Sequence, residues 1–424
     1  MTVKALCPAE LKKDRSVSSL ADFARDILHP CRYPPIYGPE LDDPRFLMPR
    51  PVDRRMAEKP EVEAERLAFS LKTLKQLAGK IAKTDPKHKS ALTLEKIAAL
   101  ALSRGEQSGD PAARVGAYQA GLEVISTLPD DLNYYHRTPL PPCYLGEAAR
   151  HLTQGRENLY FSHSDRDKRL ETKNRELMET GFQCVKVLAS SINHHTALAL
   201  LGAGEANRHT LSLLGKVADA HYPEEKADCK LLGKIAQAAL PERPLEIFDP
   251  ESQADYLRNS LTIMANLADK MTSKQRNQAA LLGSIAQAAL EEQNCTDKTH
   301  KSHWYSSTPH ELDGWEKIGE YQGALTVLST LDEQVNTSVL PRAARRLLME
   351  EGSIYHGGIS DSAVKKTRRL RDHYYLGGVR ALKTLAEKVD CPKGKAILQE
   401  APDPKTALKN LDLLKNAERK HHES

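Results

Sequence analysis

Cysteine and histidine are the side chains of this 424-residue chain best suited to chemistry. A cysteine nucleophile needs a thiolate beside a histidine base. Cys143 has His136 and His151 close in sequence and follows Pro139, Pro141 and Pro142. It could open a helix, whose dipole would lower its pKa. Cys184 lies near His194 in the same way. Cys295, His300, His303 and His310 are ligand types that zinc accepts, in a spacing that matches no established zinc motif. The plain alternative is buried or incidental thiols and solvent-facing imidazoles. The carboxylate pairs Glu224-Glu225 and Glu350-Glu351 have no convergent partner in sequence. No glycine-rich phosphate loop occurs, so no cofactor, metal or catalytic residue set is assigned.

Positive charge is the more specific feature. From Leu340 to the C-terminus there are 18 Lys+Arg against 11 Asp+Glu, whereas the preceding chain carries a slight acidic excess. Arg342, Arg345 and Arg346 precede Lys365, Lys366, Arg368, Arg369 and Arg371. On a helix Lys365, Arg368, Arg369 and Asp372 share a face. Such a face could neutralise the phosphates of nucleic acid or anionic lipid with strong salt dependence, or meet an acidic protein. A solvated, partly ion-paired helix is the alternative. Tyr305 and Tyr355 stand in polar turns like those around Tyr37 and Tyr160. A tyrosine row of this kind either packs at the edge of the next unit or touches a ligand.

The elements that must carry these residues are helical. Hydrophobic residues make up 40% of the chain and charged residues 28%, but aromatics only 5%, so the core must come from Leu, Ala, Ile and Val. Seven scattered cysteines read as reduced thiols rather than a disulfide framework. No apolar run at the N-terminus fills a signal-peptide core, and no stretch approaches the length of a membrane span. A cytoplasmic location in the producing cell is expected.

Internal similarity sets the organisation. Leu231 to Leu240 and Leu281 to Leu290 agree at nine of ten positions, and Tyr118 to Leu128 and Tyr321 to Leu331 at seven of eleven. Related helix ends recur at Leu77, Leu188, Leu267 and Leu385. With Leu128 and Leu331 they make about six units over residues 61–424, basic toward the C-terminus. Apolar residues three and four apart, as in Leu325, Leu328 and Leu331, form one stripe per helix. Residues 1–60 are rich in proline and are expected to be extended or partly disordered, with a short helix near Ser19 to Leu28. The fold expected is all-α, built from divergent helical hairpins as an α-solenoid or bundle array.

These paired amphipathic helices resemble the HEAT/armadillo class. The polar N-terminal stretch with Ser16, Ser18 and Ser19, together with the degenerate repeats from Leu67 to about Leu398, is similar to the XopP-like effectors that plant-pathogenic bacteria inject by type III secretion. That resemblance implies a virulence role in which the chain binds a host protein, and delivery into the host without a cleaved signal peptide. It transfers no catalytic residue. The leading expectation is a non-enzymatic protein-interaction scaffold. The alternatives are an enzyme with its site between repeats, using Cys143, His136 and His151, or a binder of nucleic acid or anionic lipid through the C-terminal basic cluster.

Overall fold

Leucine and alanine recur along this chain at helical spacing, and both are strong helix formers. A computed structural model describes residues 16–28, 59–85, 87–132, 144–153, 165–219, 229–240, 250–271, 276–291, 314–331, 338–350 and 361–422. Among the described residues it is all-α, with sixteen helices and no strand. No helix among them is long and apolar enough to cross a membrane. The first eight are α1 (Val17–Leu28), α2 (Pro60–Thr84), α3 (Lys89–Gln107), α4 (Pro111–Ile125), α5 (Tyr144–Thr153), α6 (Asp165–Ser191), α7 (His195–Ala203) and α8 (Arg208–Asp219). The second eight are α9 (Cys229–Ala239), α10 (Pro250–Asp269), α11 (Arg276–Glu291), α12 (Gly314–Leu328), α13 (Val339–Met349), α14 (Asp361–Lys388), α15 (Pro392–Glu400) and α16 (Pro404–His422). Of residues 1–60 only 16–28, 59 and 60 are described, and the tyrosine turns lie outside the described residues.

The chain divides into two compact units. Unit 1 holds α1 to α6 and α8, and unit 2 holds α7 and α9 to α16. In unit 1, α4 lies in the middle, packed most extensively on α6 and also on α1, α2, α3 and α5, while α5 pairs with α8. In unit 2, α12 occupies the same place. It packs most extensively on α14 and also on α9, α10, α11 and α13, while α13 pairs with α16. The two helix series correspond one to one, α1 with α9 through to α8 with α16. The six helix ends that recur in sequence are therefore three positions, on α2, just past α4 and on α6, each present again on α10, just past α12 and on α14. The charged segments that begin at Asp165 and Asp361 are continuous with the apolar segments after them, forming single long helices.

Details of the backbone repeat as well. Asn193 and Asp390 adopt positive φ, at 54° and 48°, between α6 and α7 and between α14 and α15. Asn and Asp tolerate the left-handed region better than other non-glycine residues. In each case the next residue donates its N–H back into the finished helix, His194 to the Ala189 carbonyl and Cys391 to the Ala386 carbonyl, as a Schellman ending requires. Asn207 and Asp403 accept the N–H of Thr210 and Thr406, each at 2.9 Å, at the starts of α8 and α16. The Asp403 carboxyl is held below its usual range, chiefly by the Thr406 hydroxyl and N–H.

What seats the central helices is glycine. Every residue of α12 except Lys317 is buried. A Cβ on Gly319 would overlap the Leu370 carbonyl oxygen, one on Gly323 the Tyr374 carbonyl oxygen, and one on Gly377 the Glu320 backbone. α12 and α14 thus cross at backbone contact. Gly116 against the Lys173 carbonyl makes the corresponding approach between α4 and α6. Substituting Gly323→Ala should destabilise unit 2 by about 1–3 kcal/mol through overpacking. Gly202→Ala, where a Cβ meets nothing within 4 Å, should change stability by less than about 1 kcal/mol. Denaturant melts of both variants, followed by circular dichroism, check the contrast.

Candidate functional site

A helix buried on all sides must satisfy whatever polar groups it carries. α12 carries Glu316 and Glu320, one turn apart on one face, and both are buried. Buried His373 of α14 lies between them. Its Nδ1 is 2.9 Å from Glu320 Oε1 and its Nε2 is 3.6 Å from Glu316 Oε1. The second Glu320 oxygen accepts from Arg380 Nη1 at 2.7 Å. Two carboxylates thus face a guanidinium and an imidazole ring across the α12–α14 crossing. Nearby, Tyr374 of α14 donates its hydroxyl to Thr326 Oγ1 of α12 at 3.3 Å. The buried Gln322 amide has no hydrogen-bond partner among the described residues. A compensated cluster of this kind fixes the rotation and register of two helices better than an apolar contact would, because any slip leaves a buried charge unpaired.

Unit 1 lacks this cluster. The positions of Glu316 and Glu320 correspond to Ala113 and Ala117, and that of His373 to Glu176, which pairs with Arg104 at 3.2 Å. Polar contact has moved to the other end of α4. His151 lies 3.9 Å from Glu123, 3.8 Å from Glu147 and 3.5 Å from the Ser126 hydroxyl, and Glu123 also accepts from Gln119 at 3.3 Å. His151, the candidate base, is therefore set among carboxylates and a hydroxyl. Cys143 and His136 lie outside the described residues, as do Cys295, His300, His303 and His310. Cys184 is fully buried, and burial pushes its thiol up to about 12. Such a thiol is inert near neutral pH.

The structure separates the basic residues that sequence grouped. Those on α13 are tied within unit 2. Arg342 donates to the Thr330 carbonyl at 2.7 Å, closing the end of α12 as Arg25 does for α4 through the Ser126 carbonyl at 2.8 Å. Arg346 binds Glu350 and Gln237, each at 2.7 Å. Arg345 lies 3.6 Å from Asp412. Lys365, Lys366, Arg368, Arg369 and Arg371 fall on the first half of α14. There Lys366 Nζ stands 5.5 Å from the centre of the Trp315 ring, and Arg368 is 79% exposed with Asp372 4.0 Å away. Tyr305 and Tyr355 lie outside the described residues.

Sequence reading passed over Glu316, Glu320, His373 and Arg380. The available signal was two carboxylates inside a segment, Trp315 to Leu328, that has no polar face to hold them. The chain matches no protein-family model, and no curated protein or solved structure resembles it significantly.

Replacing Glu320 by Ala should destabilise unit 2 by roughly 1–3 kcal/mol, since the buried His373 ring and Arg380 would lose the carboxylate they share. Making Glu316, Glu320, His373 and Arg380 all apolar should cost markedly less, and comparing the two denaturant melts tests the cluster. Cys184 should stay unreactive toward a thiol reagent at pH 8 in the native protein and react once denaturant is added, as an absorbance titration would show.

Proposed function

We propose that this chain is a non-enzymatic protein-interaction scaffold, with a contact face on α13, α14 and α16 of unit 2. The observation that carries the reading is a set of exposed apolar side chains on three helices that pack on one another. Met349 is 76% exposed, Val364 59% and Leu413 60%. Arg345 precedes Met349 by one turn and reaches Asp412, the neighbour of Leu413. Exposed Arg368 and Arg369 follow Val364 on α14. Apolar anchors among arginines match the composition of protein interfaces, where large apolar groups and Arg supply most of the energy. The partner this face suits is a protein with an apolar patch bordered by carboxylates.

The resemblance to HEAT/armadillo arrays and to XopP-like secreted effectors supports the same reading. On it, the partner belongs to a host cell that the chain enters from the producing bacterium. A second reading, binding of nucleic acid or anionic lipid, is favoured by the exposure of Arg368 and its basic neighbours on α14.

One experiment separates the two. Wild-type chain, Met349→Glu/Leu413→Glu and Arg368→Ala/Arg369→Ala are used for affinity capture at low and moderate salt. These are surface changes, expected to alter stability by less than about 0.5 kcal/mol each. The scaffold reading expects a specific protein retained at moderate salt by wild type and lost with the apolar variant. Capture limited to salt-sensitive nucleic acid or lipid, lost with the arginine variant, would replace it with the second reading.

A further inference from the structure

The correspondence of the two helix series shows what one face of α2 is built to hold. In unit 2, α7 packs on α10. Asn266 Nδ2 donates to the Ala203 carbonyl and Lys270 Nζ to the Gly202 carbonyl, both at 2.8 Å. Two side-chain donors thereby satisfy the last carbonyls of α7, which its own helix leaves open and where its dipole favours a cation. Ile263, one turn before Asn266 on the same stripe, is fully buried.

The matching stripe on α2 keeps the donors. Gln76 stands where α10 has Asn266, and Lys80 where it has Lys270. Farther up the stripe are Val62 and Phe69, which are 50% and 69% exposed and are the only two large apolar side chains so exposed among the described residues of unit 1. On the polar, outward face of an amphipathic helix, a phenylalanine two-thirds exposed marks an uncovered contact.

α15 is the counterpart of α7. Both have nine residues and the same left-handed entry at Asn193 and Asp390. They also share the closing bond, from the Gly204 N–H to the Leu200 carbonyl and from the Ala401 N–H to the Ile397 carbonyl. Yet α15 is less covered. Ile397 is half-buried where Leu200 is fully buried, and Lys393 is exposed where Thr196 is buried. Exposed Glu400 takes the place of Ala203, beside the position where a lysine at the site of Lys80 would reach the terminal carbonyls.

We infer that α15 of one molecule docks on α2 of a second copy of this chain, as α7 docks on α10. Gln76 and Lys80 take the carbonyls of Gln399 and Glu400, Lys80 pairs with the Glu400 carboxylate, and Phe69 covers Ile397. The contact joins different surfaces on the two molecules, so it is heterologous and extends into rings or linear oligomers rather than stopping at a symmetric dimer.

Sedimentation velocity of the full chain from roughly 1 to 200 µM, the range in which a weak interface of this kind populates its complex, reads the proposal. Wild type should show a mass that rises with concentration beyond the dimer or to a closed ring. Phe69→Glu and Lys80→Glu should each weaken association by about tenfold or more, with circular dichroism unchanged. Lys80→Glu combined with Glu400→Lys should restore much of it. Met349→Glu/Leu413→Glu, on the proposed partner face, should leave it unaltered. A chain that stays monomeric throughout overturns the inference. So does association indifferent to Phe69 and Lys80, or a charge swap that restores nothing. A monomeric chain that binds a synthetic peptide of residues 195–205 in a Phe69-dependent way would overturn self-association too, and give the stripe to an α7-like helix of another protein.

Discussion

The contact on which each unit depends is the crossing of its buried central helix with its longest-packed neighbour, α4 on α6 and α12 on α14. At these crossings glycine brings the two backbones together, and a Cβ on Gly116, Gly319 or Gly323 would overlap the facing backbone. Close approach maximises dispersion contact along the crossing and removes both central helices from water on nearly every side. The surrounding helices are then arranged by what α4 and α12 still need covered. The arginines Arg25 and Arg342, which donate to the Ser126 and Thr330 carbonyls just past the ends of these two helices, are part of the same requirement.

Two copies of one scaffold have solved that burial differently. In unit 2 the central helix carries two carboxylates, against which His373 and Arg380 of α14 are set. In unit 1 the same positions are alanine, and the charged contact lies at the helix end around His151 and Glu123. The fold tolerates either because the crossing itself sets the geometry. The polar cluster adds register rather than basic stability, consistent with the small net worth of buried polar pairs once desolvation is counted. α7 and α15 show the same divergence outside the core. One is seated among buried alanines and leucines, and the other presents Lys393 and Glu400.

Apolar residues three and four apart, a leucine- and alanine-based core and the recurrence of Leu77, Leu128, Leu188, Leu267, Leu331 and Leu385 were enough to read an all-α chain with repeated helices from sequence. These are local signals, carried within three or four turns of chain. The short helix before the proline-rich stretch was legible for the same reason. The basic run on α14 was legible as a helical face, but the arginines of α13 were grouped with it only because they are near in sequence. Their partners, Thr330, Gln237 and Asp412, come from other helices, and no spacing rule points to them.

The sequence by itself determined the secondary structure, the apolar composition of the core and the fact of internal repetition, because helix propensity and amphipathic period are properties of neighbouring residues. Only the tertiary structure decided that six recurring helix ends are three positions present twice, that Glu316, Glu320, His373 and Arg380 form one cluster, and that α2 leaves uncovered the stripe whose counterpart on α10 is covered by α7. Each of these joins residues tens of positions apart. What brings them together is the fit of one buried helix against another, which no local pattern encodes.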